Sequence, residues 1–142
     1  MSAKLMNYLS RGISLILWDW SGTIVTQEGT LCTDALPWLR YFRKLSIPQG
    51  IVSNERKSSY LLNSIKKMHL LEFFEEGEYV ICAGSDQSPK PSTDMFHSLL
   101  AKFPNITDPT DVLYIGDSET DRQFAANCGC YFCHAENLNE KP

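Results

Sequence analysis

The sequence has no hydrophobic run long enough to cross a bilayer. Its longest, Ile13 to Trp18, is interrupted by Ser14, whereas a spanning helix needs roughly 20 apolar residues. An excess of basic charge is also missing: 13 Lys and Arg face 17 Asp and Glu, for a formal net charge of −4. A clustered basic face that would track a phosphate backbone is not expected, nor is a nucleic-acid partner. Near the N-terminus, Lys4 and Arg11 enclose only Leu5 to Leu9, too short and too polar for the apolar stretch of a secretion signal. The expectation is a cytoplasmic protein without membrane association. The cysteines, Cys32, Cys82, Cys128, Cys130 and Cys133, are odd in number, which argues for free thiols over a disulfide framework. Repeats, low-complexity tracts and interdomain linkers are not seen either. The chain reads as one domain, 1–142, with 1–12 an N-terminal extension and 135–142 a polar, mobile tail.

Apolar residues make up 43% of the chain, enough for a real core at this length. Five apolar runs read as buried strands: 14–18, 50–53, 79–82, 112–115 and 131–133. The first lacks the alternation of a half-wet strand, so both its faces are expected to be covered. Helical patterns fill the gaps, over 34–45, over 55–70 and from an N-cap at Ser92. A further helix is expected from Ser118, which with Asp121 resembles a capping box with Asp in place of Glu, to a stop at Gly129. Such alternation predicts a three-layer α/β domain with a five-stranded parallel sheet and helices on both faces. Ligands then bind beyond the carboxyl ends of the strands.

The residues at those ends carry chemistry. Asp19 follows the first run and is suited to attack phosphorus or hold a metal; it can equally cap a turn. Asp117 and Asp121 follow the fourth run on one helical face, as a Mg²⁺ site requires, or as acids favoured at any helix N-terminus. Ser53 and Asn54 end the second run where a helix would begin, a phosphate cradle or a plain N-cap. Lys90, between Pro89 and Pro91, would neutralise a phosphoryl group, or is merely a solvated loop cation.

Taken together, Ile16-Leu17-Trp18-Asp19-Trp20-Ser21-Gly22-Thr23, Ile51-Val52-Ser53-Asn54, Lys90-Pro91 and Ile115-Gly116-Asp117-Ser118-Glu119-Thr120-Asp121 resemble, in order, the four motifs of the haloacid dehalogenase-like superfamily. The resemblance implies a phosphatase in which Asp19 is the nucleophile and forms an aspartyl-phosphate. Ser53 and Lys90 would hold the phosphoryl group, with Asn54, Gly22 and Thr23 shaping its seat. Mg²⁺ would be ligated by Asp19, the backbone carbonyl of Ser21, Asp117 and Asp121, the last either directly or behind the others. It also implies that the first strand lies between the second and fourth, and that 24–33 is a short flap.

One position departs from the family pattern. Its phosphatases usually carry a second Asp two residues after the nucleophile, as general acid and base; here that residue is Ser21. A hydroxyl is a far weaker acid, and such help is worth typically 10²- to 10⁴-fold. Three outcomes follow: a slow phosphatase, a phosphotransfer enzyme, or a catalytically impaired binding or assembly module. The intervals between motifs hold no full cap domain, so the implied partner is a phosphorylated small molecule or an exposed phosphate on a macromolecule. Trp20 and Trp38 are candidates for apolar contact near the mouth. Cys130-Tyr131-Phe132-Cys133-His134 matches a haem-attachment pattern. It also fits the fifth strand, whose alternation sends the two sulfurs to opposite faces. His69 is expected on a buried helical stripe and His97 on a wet face.

Overall fold

In the computed structural model, which describes residues 3–142, the five apolar runs form one parallel sheet. The strands are β1 (Leu15–Trp18), β2 (Gln49–Ser53), β3 (Val80–Cys82), β4 (Val112–Gly116) and β5 (Tyr131–His134), in the spatial order β3-β2-β1-β4-β5. All residues of β1, β2 and β4 are buried, because both sheet faces are covered. The period-2 alternation sorts them into two cores. Ile16, Trp18, Ile51, Ile115 and Cys133 pack with the helices α1 (Ala3–Leu9), α2 (Ala35–Lys44) and α3 (Ser58–Lys67). Leu15, Leu17, Val52 and Tyr114 pack with α4 (Asp94–Leu100) and α5 (Glu119–Cys128) on the other face. Among the described residues no helix is long and apolar enough to cross a membrane.

The expected boundaries shift where side chains compete with the backbone. The helix expected from Glu55 starts at Ser58. The Ser53 hydroxyl accepts the Glu55 N–H at 3.1 Å, and the Glu55 carboxylate accepts the Lys57 N–H at 3.1 Å. These bonds hold 53–57 as a turn. At its far end His69 adopts a left-handed conformation (φ 59°) and is exposed, not buried on a stripe as expected. The N-cap of α4 is Thr93, one residue after Ser92. The capping box at Ser118 forms with both arms, and Gly129 ends α5 at φ 79°.

Described parts of both terminal segments pack onto the domain. Residues 1–2 of the expected extension lie outside the described residues; the rest carries α1, whose Leu5 is fully buried and whose Tyr8 ring lies 5.3 Å from that of Tyr131. The tail, expected to be mobile, instead folds as a 3₁₀ turn over Ala135–Asn139 and buries Leu138. The Trp38 indole N–H donates to the carbonyls of Leu138 (3.2 Å) and Glu140 (3.0 Å). A large indole with a buried donor needs such a partner. Trp38 is therefore core and not part of the mouth of the sheet.

Between β1 and β2 the chain makes a small hairpin, with bridges Ser21–Val25 and Val25–Leu31, and then α2. Between β2 and β3 it makes α3 and a 3₁₀ segment, Leu71–Gly77. Neither interval holds a cap domain.

Candidate active site

Loops leaving the carboxyl ends of β1 to β4 meet over the middle of the sheet. Asp19 extends β1 by one residue, its N–H donating to the Ile115 carbonyl at 2.9 Å. That bond sets the carboxylate at the mouth, where the residue is 8% exposed. Gly22 then turns the chain at φ 84°, and a Cβ there would overlap the Asp117 carboxylate. The Thr23 hydroxyl donates to Asp19 Oδ2 (3.3 Å) or Asp117 Oδ1 (3.4 Å), tying the two acids together. A Cβ on Gly116 would lie 2.6 Å from that of Asp121, so this glycine makes room for the first turn of α5.

Lys90 crosses from its loop into this cluster and is 6% exposed. Its Nζ lies 2.8 Å from Asp19 Oδ1 and 2.9 Å from Asp121 Oδ1. The loop that carries it is clamped by Asn54, whose Oδ1 accepts the Lys90 N–H at 2.7 Å and whose Nδ2 donates to the Lys90 carbonyl at 3.4 Å. The side chain of Asn54, expected at the substrate, is thus committed to the Lys90 backbone. Ser53 is buried beside it; its oxygen accepts the Glu55 N–H and its proton stays available. No helix N-terminus lies directly behind Ser53, contrary to the expected cradle, because α3 starts later.

Electrostatics follow from this packing. Burial pushes the Asp19 carboxyl up from its ordinary value, against the pull of the Lys90 ammonium, and the Asp121 charge adds to the rise. Burial also works against Asp121 as an anion. There, however, it is outweighed by the Lys90 charge and by hydrogen bonds from Tyr114, Lys90 and Ser118, which hold the carboxyl below its usual range. Asp121 Oδ2 accepts from the Ser118 hydroxyl (3.0 Å) and from the N–H groups of Asp117 (3.2 Å) and Ser118 (3.3 Å). Both its oxygens are therefore engaged, whereas the Asp117 carboxylate is partly exposed.

The donor set fits a hard divalent cation. Oxygens of Asp19, Asp117 and Asp121 lie within 4.8 Å of one another, and Lys90 alone does not balance three carboxylates. Oxygen-only ligation with few carboxylates is what Mg²⁺ takes. The cysteines do not compete for a metal. Cys130 and Cys133 pack into opposite cores, and burial pushes their thiols up to about 12 and about 11.

The site opens into a cavity of about 780 Å³. One wall is the hairpin, with Val25, Gln27 and Glu28; the other is the α3 face of Tyr60, Ser64 and Lys67. Trp20 and Ser21 line it as well; Trp20 is a buried residue of the core at the cavity's edge. Sequence reasoning missed the α3 wall and Tyr114. The signal for the second was present: a tyrosine in a strand covered on both faces needs a partner for its hydroxyl.

The family described as haloacid dehalogenase-like hydrolase matches residues 12–135. The chain belongs to that family. A comparison with the curated proteins found no match. Among solved structures, this haloacid dehalogenase-like hydrolase is similar to a superfamily hydrolase from Ehrlichia chaffeensis (TM-score 0.74, 19% identity, 85% of this chain and 86% of that one). It is also similar to a haloacid dehalogenase-like hydrolase candidate from Bacteroides fragilis (0.68, 16%, 92% and 94%). A third is the core domain of a phosphoglycolate phosphatase candidate from Streptococcus pneumoniae (0.65, 22%, 86% and 79%). At these identities the similarity concerns the fold.

Proposed function

We propose that this chain is a Mg²⁺-dependent phosphomonoesterase in which Asp19 is the nucleophile. The observation that carries this reading is the convergence of Asp19, Lys90, Asp117 and Asp121 from three separate strand ends, those of β1, β3 and β4, onto one open cavity.

In the first half-reaction an Asp19 oxygen attacks phosphorus, and the bond from phosphorus to the ester oxygen breaks. The product is an aspartyl-phosphate and an alkoxide that takes its proton from solvent. Water then attacks phosphorus, its proton leaves to solvent, and the Asp19 carboxylate is restored with release of phosphate. Oδ1 of Asp19 is anchored by Lys90, while Oδ2 has the long bond to Thr23 and is the freer oxygen. The Ser53 hydroxyl and the Lys90 ammonium hold the phosphoryl oxygens, with the Gly22–Thr23 backbone beneath. A bound Mg²⁺, held by Asp19, Asp117 and the Ser21 carbonyl with Asp121 behind them, would neutralise the phosphoryl charge as it develops. The open mouth supports a phosphorylated small molecule or an exposed phosphate on a larger one as the substrate.

A screen of phosphorylated compounds with and without Mg²⁺ tests this reading; hydrolysis that is indifferent to chelation would overturn it. Gly22→Ala would push Asp117 aside and should weaken Mg²⁺ binding by about 10- to 100-fold in calorimetry. An unchanged affinity removes Asp117 from the ligand set.

Ser21 supports a second reading, a module that binds a phosphorylated partner without efficient turnover. The exposed Ser21 lines the cavity where an acid would stand. Ser21→Asp should raise turnover of an activated aryl phosphate roughly tenfold or more, within the range of general acid–base catalysis. An equal or lower rate counts against the missing acid as the limit on this enzyme.

A further inference from the structure

We propose that Tyr114 is a positioning residue: its buried hydroxyl keeps Asp121 satisfied while the Lys90 ammonium turns an N–H towards a phosphoryl oxygen. The proposal rests on the phosphoryl-binding role given to Lys90 above.

An ammonium has three protons. Lys90 Nζ has four acceptors in reach: Asp19 Oδ1 (2.8 Å), Val52 O (3.0 Å), the Tyr114 hydroxyl (2.7 Å) and Asp121 Oδ1 (2.9 Å). With more acceptors than protons the ammonium can change partners. To meet a phosphoryl oxygen it must let one go, and a buried carboxylate left without a donor is costly. The Tyr114 hydroxyl also lies 2.7 Å from Asp121 Oδ1 and donates its single proton there. Ser118 and two backbone N–H groups serve Oδ2. Asp121 therefore keeps a donor on each oxygen after Lys90 has moved. The ring cannot drift, because it is fully buried against Phe124, 5.0 Å between centroids.

The test is Tyr114→Phe, which keeps the ring and deletes the hydroxyl. Affinity for inorganic phosphate in Mg²⁺ buffer is read by calorimetry, beside kcat and KM for p-nitrophenyl phosphate. Phosphate binding should weaken about tenfold or more, and kcat should fall, with the melting temperature little changed; a hydrogen bond to a charged group is worth that much. In an Asp121→Asn background, where no carboxylate charge is left to strand, the same substitution should cost less than twofold. Phosphate affinity within twofold of wild type in Tyr114→Phe overturns the proposal, as does an undiminished loss in the Asp121→Asn background. A wild-type protein that binds no phosphate overturns it together with the role of Lys90. One that binds phosphate but hydrolyses nothing overturns the hydrolytic reading alone. Should Tyr114→Phe not fold, Asp121→Asn in Mg²⁺-free buffer decides: with no carboxylate charge to strand, phosphate affinity equal to wild type or tighter supports the proposal, and weaker binding overturns it.

Discussion

Asp19→Asn should abolish hydrolysis, by on the order of 10³-fold or more, as removal of a nucleophile does in other covalent mechanisms. The amide cannot attack phosphorus, yet its carbonyl can still accept from Lys90, so the fold should persist. Stability gives a second readout. Burial raises the Asp19 carboxyl in the folded protein. A group raised in this way contributes stability below its unfolded value, and that contribution is lost as pH rises through the folded one. In chelator-treated protein, wild type should therefore lose a component of stability on going from acidic to neutral pH, and Asp19→Asn should lack it. Residual turnover within tenfold of wild type would remove Asp19 as nucleophile. If the protein is instead a binding module, the variant retains its phosphorylated partner.

Lys90→Met should be the most destabilising single change at the site. The ammonium is buried between two carboxylates, its side chain 3% exposed. Breaking a buried pair by removing one partner costs about 3–5 kcal/mol, because the remaining charge is uncompensated. Turnover should fall by about 10²- to 10³-fold, the range seen when one stabilising donor is lost. The sign with pH is distinctive. Without the cation, Asp19 and Asp121 both favour protonation in the folded state. The variant should thus recover stability on acidification towards the ordinary carboxyl range. Urea titrations at pH 5 and pH 8 check this; equal deficits at the two values would mean that the ammonium is not the counter-charge. Lys90→Arg should not rescue activity, because a planar guanidinium cannot repeat an ammonium's contacts to four converging acceptors.

Most of the architecture was legible along the chain. Apolar runs without alternation placed five buried strands, and each lies within one or two residues of its observed limits. Ser118 and Gly129 marked the ends of α5 through local chemistry, a capping box and a left-handed glycine. Where reading failed, the deciding contacts were side-chain bonds or long-range packing. The turn at 53–57 depends on Ser53 and Glu55 oxygens capturing backbone amides. The tail looked loose because its polarity shows, while the indole of Trp38, which binds it, is about a hundred residues away.

Residue type and period along the chain are enough for the fold class, the order of the four motifs and the absence of an acid at Ser21. Which groups touch emerges from the folded chain: Lys90 bridges Asp19 and Asp121, Asn54 clamps the Lys90 loop, and Tyr114 belongs to the site. A hydrogen bond needs two groups within about 3 Å in a fixed orientation, and spacing along a chain fixes neither across a sheet.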